Sequence, residues 1–156
     1  SNLVPSATLA VRNASDTGNA PAPIAFETNS ALNVGPVAGA GEINIASTGD
    51  MTVSGAVQSG GAIALNADAA LLTVNAQVTG NGQAVNLFGG DMAINAPISN
   101  PTGAVVLNHI SAGPVEGPVT LGGGLTGFGI SEAELKRISA LSLTINASPT
   151  ISWVVT

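Results

Sequence analysis

The chain has 156 residues, of which only 8% are charged, against roughly 25% in ordinary soluble domains, and its formal net charge is -6. Its only cations are Arg12, Lys136 and Arg137, too few to neutralise a phosphate backbone, so composition argues against nucleic acid as a partner. The absence of cysteine excludes disulfides and thiolate metal sites, and no apolar run approaches the roughly 18 residues of a membrane helix, so we expect no membrane insertion.

Residues 1–23 hold three prolines and one strand-like stretch, TLAV (8–11). From residue 24 onward the sequence repeats. Five segments with alternating apolar residues begin at spacings of 19, 20, 22 and 20 residues: IAF (24–26), INI (43–45), IAL (63–65), VNL (85–87) and VVL (105–107). Alternation with a period of two is typical of a strand that buries one face, so each segment predicts the first strand of a repeat.

Two further apolar features complete each repeat. A second strand follows as LNV (32–34), MTV (51–53), LTV (72–74) and MAI (92–94), and a third apolar position follows a corner, at Val37, Val57, Val78 and Ile98. Three short strands per roughly 20 residues, separated by corners rich in Gly, Asn and Ser, predict one turn of a parallel β-helix. Val74 and Ile94 should then point inward in neighbouring coils.

Asparagines recur at the corner after the second strand. Asn75 and Asn95 occupy this corner, Asn146 in TINASP is a third candidate, and Ser54 and Gly35 stand at the equivalent place in earlier coils. Asparagine tolerates a left-handed backbone and hydrogen-bonds its own main chain. In stacked coils we expect these side chains to form a ladder.

A β-sandwich is the competing fold, because it is also Gly-rich and built of many short strands. Sandwich strands would not return in a fixed three-strand phrase, and two-residue hairpin signals are scarce here, with GNGQ (80–83) the best candidate. The repeat therefore favours the β-helix.

The register degrades after residue 107, and a helix follows the irregular part. ISEAELKRIS (130–139) predicts this helix, with Ser131 as N-cap and Glu134 completing a capping box. Lys136 and Arg137 fall in its last turn, where cations suit the helix dipole. We expect Ser131→Ala to cost about 1 kcal/mol and Ser131→Asp to be tolerated.

Alternation resumes after the helix, in LSLTI (141–145) and ISWVV (151–155). The chain is therefore predicted to be a single all-β segment over residues 1–156. Its parts are regular coils at 24–107, an irregular loop at 108–129 with a strand at 119–121, a short helix at 130–139 and terminal strands at 141–156.

Parts of the chain resemble a known protein family. The phrases IALNADAALLTVNAQVTGNG and VNLFGGDMAINAPIS resemble the repeats of filamentous-haemagglutinin-like exoproteins, large bacterial surface adhesins of the two-partner secretion type. LTGFGISEAELKRISALSLTI is similar to the short helical segment that interrupts such repeats. The resemblance covers residues 24–156.

The resemblance implies a right-handed parallel β-helix, bacterial export, and a stalk or adhesive role within a much longer chain that is secreted or held at the cell surface. Adjacent repeats of the parent chain would be its immediate partners, and a host-cell or carbohydrate receptor a further one. The secretion signatures near the start of such proteins are not matched here, so we place this chain in the repeat region, with an export-directing module as the alternative position.

Three aspartates invite a metal-binding interpretation. Asp50 and Asp91 precede second strands in the tripeptide GDM, and Asp68 lies in the coil between them. Calcium needs six to eight oxygen ligands, but aspartate is also a good turn former, and the Gly-Gly-x-Gly-x-Asp calcium repeat is missing. We therefore predict turn residues and no metal site.

A polysaccharide lyase or glycosidase is the alternative function, because parallel β-helices commonly carry such activity. A glycosidase needs two carboxylates roughly 5–9.5 Å apart, and a lyase usually adds Lys or Arg as base. No Lys or Arg lies between residues 13 and 135, and the acidic residues are spread over different corners, at Glu27, Glu42, Asp50, Asp68 and Asp91. We predict no catalytic residue, cofactor or enzyme activity.

Three other features have a functional and a structural interpretation. His109 is the sole histidine, and without partners it predicts a polar loop residue. GGGLTGFG (122–129) is not followed by Lys-Ser/Thr, so the phosphate-loop interpretation fails. Trp153 could stack on a sugar, but in ISWVV it is more consistent with packing in the last coil or covering the open end of the solenoid.

The expected function is structural and adhesive, as a stiff rod that holds binding surfaces away from the cell. The terminal coils of such a segment expose strand edges and apolar interior residues. Together with the low surface charge, they predict weak end-to-end self-association through parallel edge pairing.

Overall fold

The computed structural model describes residues 6–11, 23–111, 120–121, 128–147 and 151–155. In chain order the elements are β1 (Ser6–Val11), β2 (Ile24–Thr28), β3 (Ala31–Gly39), β4 (Ile43–Ser47), β5 (Met51–Val53), β6 (Val57–Ser59), β7 (Ile63–Asn66), β8 (Leu71–Val74), β9 (Val78–Thr79), β10 (Val85–Gly89), β11 (Asp91–Ile94), β12 (Ile98–His109), β13 (Thr120–Leu121), β14 (Gly129–Ile130), α1 (Glu132–Leu135), β15 (Ile138–Ala147) and β16 (Ile151–Val155). No helix among these residues has the length and apolarity to span a membrane.

The strands stack in three parallel ladders, one for each side of a coil. The first ladder runs β2, β4, β7, β10, then the later halves of β12 and β15. The second ladder runs β3, β5, β8 and β11, and the third runs β3, β6, β9, then the early parts of β12 and β15. The fold is a β-solenoid with coils of about 20 residues, so the predicted parallel β-helix is confirmed.

Inward-facing side chains form columns along the solenoid. In the first ladder Ile43, Ile63, Val85 and Val105 lie in register, and none of them is exposed to solvent. Val74 and Ile94 are register partners in the second ladder and are fully buried, as predicted. The third apolar positions are confirmed as core too: Val37, Val57, Val78 and Ile98. Burial of apolar area in these columns is the main favourable term in folding.

The predicted stack of asparagine side chains forms in part at the corner after the second strand. Asn95 Nδ2 donates to Asn75 Oδ1 at 2.9 Å, and the Ser54 backbone occupies the same corner one coil earlier, bonded to the carbonyl of Val34. Asn146 does not belong to this column. It lies on the first ladder, where its Nδ2 donates to Asn108 Oδ1 at 2.9 Å.

The helix is shorter than predicted. Helix α1 covers Glu132–Leu135, with Ser131 as N-cap in a complete capping box, and Lys136 is the C-cap rather than a last-turn residue. The chain is already extended at Ile138, where β15 pairs in parallel with β12. Strand pairing and burial against β12 replace another helical turn, because a tertiary contact outweighs weak helix propensity.

The end of the chain also differs from prediction. Residues 141–145 resume the coil pattern within β15, but β16 runs antiparallel to β15, from the pair Leu143 and Val155 to the pair Ala147 and Ile151. Strands are therefore present at 141–145 and 151–155 as predicted, but residues 151–155 do not continue the parallel coil pattern. GNGQ (80–83) forms no hairpin, since β9 and β10 pair with other coils rather than with each other. β13 confirms a strand within 119–121, and residues 112–119 and 122–127 lie outside the described ranges.

Candidate functional site

The three aspartates of the metal-binding interpretation make hydrogen bonds to the chain. The carboxylates of Asp50 and Asp91 accept backbone N–H groups, and Asp68 lies in a turn. Asp50 Oδ1 accepts the N–H of Leu71 one coil later at 3.0 Å, and Asp91 Oδ1 accepts the N–H of Met92 at 2.8 Å. Asp68 has φ +53°, and its N–H donates to Asn66 Oδ1 at 2.8 Å. Within the described ranges no three His, Cys, Asp or Glu side chains are grouped so that they could hold a metal ion.

The two remaining acidic residues of the sequence prediction lie near the start of the solenoid. Glu27 points outward from β2, and Glu42 directly precedes β4; both are exposed. Glu27 lines a shallow depression of about 230 Å³ with Phe26 and Asn44. The structure therefore keeps Glu27 on the outer face of the first ladder and does not bring it to the aspartates that precede the second ladder.

A second depression lies on the outer side of the second ladder, and three polar side chains contribute to its lining. This second-ladder depression has a volume of about 290 Å³, and Asn33, Asp50 and Thr52 supply its polar lining. Leu71, which is 37% exposed, stands beyond Asp50 on the same side of the solenoid. An amide, a hydroxyl and a carboxylate offer donors and acceptors at close spacing, which suits a ligand rich in hydroxyl groups.

Asn33 and Thr52 were not singled out from the sequence. Both residues occupy the outward position in the second strand of successive coils, where Asn33 and Thr52 are register partners. This shared position is the one sequence feature that could have identified them. Outward positions carry no apolar periodicity, so the pattern that reveals the core is silent about them.

Helix α1 makes an unpredicted contact with the second ladder. Glu134 Oε1 accepts the backbone N–H of Ile94 at 2.9 Å, and Arg137 Nη1 donates to the carbonyl of Ile94 at 3.0 Å. A neighbouring strand would offer the same two bonds to β11, one acceptor and one donor. These two side chains, the Glu134–Arg137 clamp, therefore take the place of a strand at that edge.

The clamp carboxylate is held in its ionised form. Burial by itself raises the pKa of Glu134, but the backbone N–H groups of Ile94 and Ser131, the Ser131 hydroxyl and the Arg137 charge together outweigh it. The pKa of Glu134 is consequently lower than its ordinary value. Hydrogen bonds to a carboxylate favour the charged form, so the clamp is intact when Glu134 is ionised.

His109 and Trp153 stand at the C-terminal end of the stack. His109 ends β12 and pairs in register with Ala147, so the prediction of a loop residue is wrong. Its ring packs on Phe128 with centroids 5.0 Å apart and planes tilted by 31°. Trp153 pairs through its backbone with Ile145, and its side chain lies outside the described part of the structure.

Comparison of the chain with protein-family models, with curated proteins and with solved structures gives no match in any of the three.

Proposed function

We propose that this chain is a structural and attachment segment of a bacterial surface exoprotein, a stiff rod whose outer faces bind a carbohydrate receptor. Secretion to the cell surface and adjacent repeats of a parent chain are part of the proposal. They derive support from the repeat phrases that resemble filamentous-haemagglutinin-like exoproteins and from the β-solenoid that those phrases form.

One observation carries the rod part of the proposal: the inward columns run without interruption through successive coils. From Ile43 to Val105 each inward residue of the first ladder stacks on its equivalent in the next coil and is fully buried. Each coil is also hydrogen-bonded to the coils on either side. Bending such a stack would open parallel ladders and expose apolar area together, so the segment resists bending.

The outer faces support the attachment part. The second-ladder depression combines Asn33, Asp50 and Thr52, and the neighbouring Leu71 adds an exposed apolar contact. A sugar ring carries hydroxyl groups around its edge and C–H groups on its faces, so it matches a surface that offers both polar and apolar contacts. A neutral oligosaccharide fits best, because a chain of net charge -6 repels anionic glycans.

A flow assay tests attachment. Beads are coated with the chain, and the fraction of beads retained on immobilised neutral oligosaccharides under flow is measured. We expect retention by at least one glycan, and loss of it in the double variant Asn33→Ala, Thr52→Val. Gln58→Ala is the matched control, because Gln58 is an exposed outer residue of the third ladder. Equal retention for both variants, or no retention by any glycan, would contradict the attachment role.

The rod is tested by pulling single molecules between their termini. Parallel in-register ladders should unfold coil by coil, in force steps whose contour-length increments correspond to about 20 residues. A single low-force transition would contradict a mechanical role, and it would leave the glycan result unaffected.

A further inference from the structure

The corner between β9 and β10 contains the one Asn-Gly pair in the sequence, Asn81 and Gly82. Asn81 is exposed to solvent. Gly82 has φ +85°, in the left-handed region that favours glycine, so the path of the corner calls for glycine directly after Asn81. Asparagine before glycine is the pair at which the backbone attacks the side chain most readily, because glycine leaves the attacking nitrogen unobstructed.

Such a pair can modify itself with water as the only other reactant. The backbone nitrogen of Gly82 gives up its proton to solvent and attacks Cγ of Asn81. As the new N–Cγ bond forms, the Cγ–Nδ2 bond breaks, and the amide nitrogen takes a proton from water and leaves as ammonia. Water then opens the cyclic imide at either carbonyl carbon, which yields aspartate or isoaspartate. The first step requires a Gly82 N–H that is free to lose its proton.

The structure holds that N–H in a buried hydrogen bond. Gly82 N–H donates to Asn100 Oδ1 at 3.0 Å, and Asn100 is fully buried. The Asn100 amide cannot turn away, because its Nδ2 donates to the carbonyls of Gln83 at 2.7 Å and Ala104 at 2.9 Å. The next coil packs directly on the same peptide, since a Cβ at Gly103 would lie 2.5 Å from the Gly82 carbonyl oxygen. The attacking nitrogen therefore keeps its proton while the corner is closed.

We propose that Asn81–Gly82 is a self-modification site, which Asn100 keeps inactive in the folded solenoid. Deamidation of Asn81 then proceeds only when this corner opens, so its rate follows the local opening of the corner. Exposure of Asn81 alone would predict the opposite, a folded chain that deamidates as fast as an unfolded one. The inference goes beyond the attachment role and does not depend on it.

The modification also prevents the corner from closing again. Isoaspartate lengthens the main chain by one methylene, and either product adds a negative charge to a chain whose net charge is already -6. With the longer backbone, the Gly82 N–H and the Gln83 carbonyl no longer meet the Asn100 amide at the same spacing. The deamidated chain should therefore have a lower Tm than the unmodified chain.

Peptide mapping by mass spectrometry tests the proposal by comparing deamidation at Asn81 in the folded chain and in a synthetic peptide of residues 79–85. We expect the folded chain to react at least about tenfold more slowly, because opening must break a buried hydrogen bond. Asn100→Ala should accelerate the reaction in the folded chain. A folded chain that reacts as fast as the peptide would overturn the proposal.

Ile45→Ala is the matched control for lost stability, since Ile45 is a fully buried core residue of an earlier coil. The two variants are compared at urea concentrations that give them equal free energies of unfolding. Asn100→Ala should deamidate faster than Ile45→Ala, and equal rates would show that the Asn100 hydrogen bond does not protect the site. Asn81→Gln should abolish the mass gain, because a longer side chain closes the ring slowly. A gain that persists would place the reaction at another residue and overturn the site.

A second measurement uses the unsubstituted chain alone and decides the question even if Asn100→Ala does not fold. Hydrogen exchange at the Gly82 N–H and deamidation at Asn81 are followed at urea concentrations below the unfolding transition. We expect the two rates to rise in proportion, because both reactions require the same opening. Deamidation that proceeds while Gly82 exchange stays slow would overturn the proposal.

Discussion

Asn100 is a fully buried polar side chain that joins two corners of the solenoid. Its Nδ2 donates to the carbonyls of Gln83 at 2.7 Å and Ala104 at 2.9 Å, and its Oδ1 accepts the N–H of Gly82 at 3.0 Å. Gly80 makes room for this amide, since a Cβ there would lie 2.8 Å from Asn100 Cγ. The side chain thus satisfies backbone groups that the irregular corners leave without strand partners.

We expect Asn100→Ala to destabilise the chain by about 3 kcal/mol, because it removes a fully buried amide that makes three hydrogen bonds to backbone groups. Asn44→Ala is the control, since Asn44 is exposed on the outer face of β4 and its replacement should stay within about 0.5 kcal/mol. Urea unfolding measures both changes. Similar losses for the two variants would show that the Asn100 amide does not stabilise the corners.

The burial of Asn100 and its hydrogen-bond partners could not be predicted from the sequence. In SNPTG an asparagine before proline indicates a turn, and an inward asparagine breaks the apolar alternation that identifies core positions. Its three partners lie in a different corner or beyond the proline, and no local pattern pairs them. The core columns were predictable because their period repeats over five coils, whereas a buried amide that occurs once has no period.

At the scale of elements, a four-residue helix is too short to be stable alone, and the Glu134–Arg137 clamp fixes it to β11. Ser131 adds to this arrangement, because its hydroxyl donates to Glu134 Oε2 at 2.7 Å while its oxygen accepts the N–H of Glu134 at 3.3 Å. The capping box was predictable from SEAE alone. The clamp was not, because Glu134 and Ile94 are forty residues apart in the chain.

The clamp predicts a pH dependence of stability. A carboxyl whose pKa is lower in the folded state stabilises fully above its unfolded pKa of about 4.3, and this stabilisation is lost as pH falls through the folded value. We therefore expect Glu134→Gln to destabilise the chain by about 1–2 kcal/mol at neutral pH. The difference in free energy of unfolding between Glu134→Gln and the unsubstituted chain should shrink as the pH falls below about 4.3.

Glu132→Gln is the matched control, since Glu132 lies in the same helix and forms an exposed salt bridge with Lys136. Its replacement should change stability by no more than about 0.5 kcal/mol. Urea midpoints at neutral and acidic pH compare the two variants. If Glu134→Gln lowers the free energy of unfolding by the same amount at both pH values, ionised Glu134 does not stabilise the clamp.

The structure reverses one expectation about the helix cap. Ser131→Ala should still cost about 1 kcal/mol, but Ser131→Asp should cost more, because its carboxylate would face the ionised Glu134 instead of donating to it. Combining Ser131→Asp with Glu134→Gln removes the repulsion and should recover part of the loss. Thermal melting of the single and double variants measures this coupling, and additive losses would count against it.

At the scale of the whole molecule, stability should behave as a sum over coils, because each coil contacts mainly its neighbours. Register pairs Val57 with Val78 and Gln58 with Thr79. A deletion of residues 59–79 that joins Gln58 to Gly80 therefore removes one complete coil. It brings β10 onto β4, β11 onto β5 and β12 onto β6, and it keeps the corner that Asn100 satisfies.

We expect this one-coil deletion to fold into a shorter solenoid with the same circular dichroism spectrum, cooperative unfolding and a lower melting temperature. A deletion of residues 71–79 removes fewer residues but takes β8 and β9 without β7, so that coil cannot close and the columns above and below it fall out of register. The smaller deletion should therefore abolish cooperative unfolding. If the smaller deletion folds and the one-coil deletion does not, stability does not reside in the stacked coils, and the rod proposed above loses its physical basis.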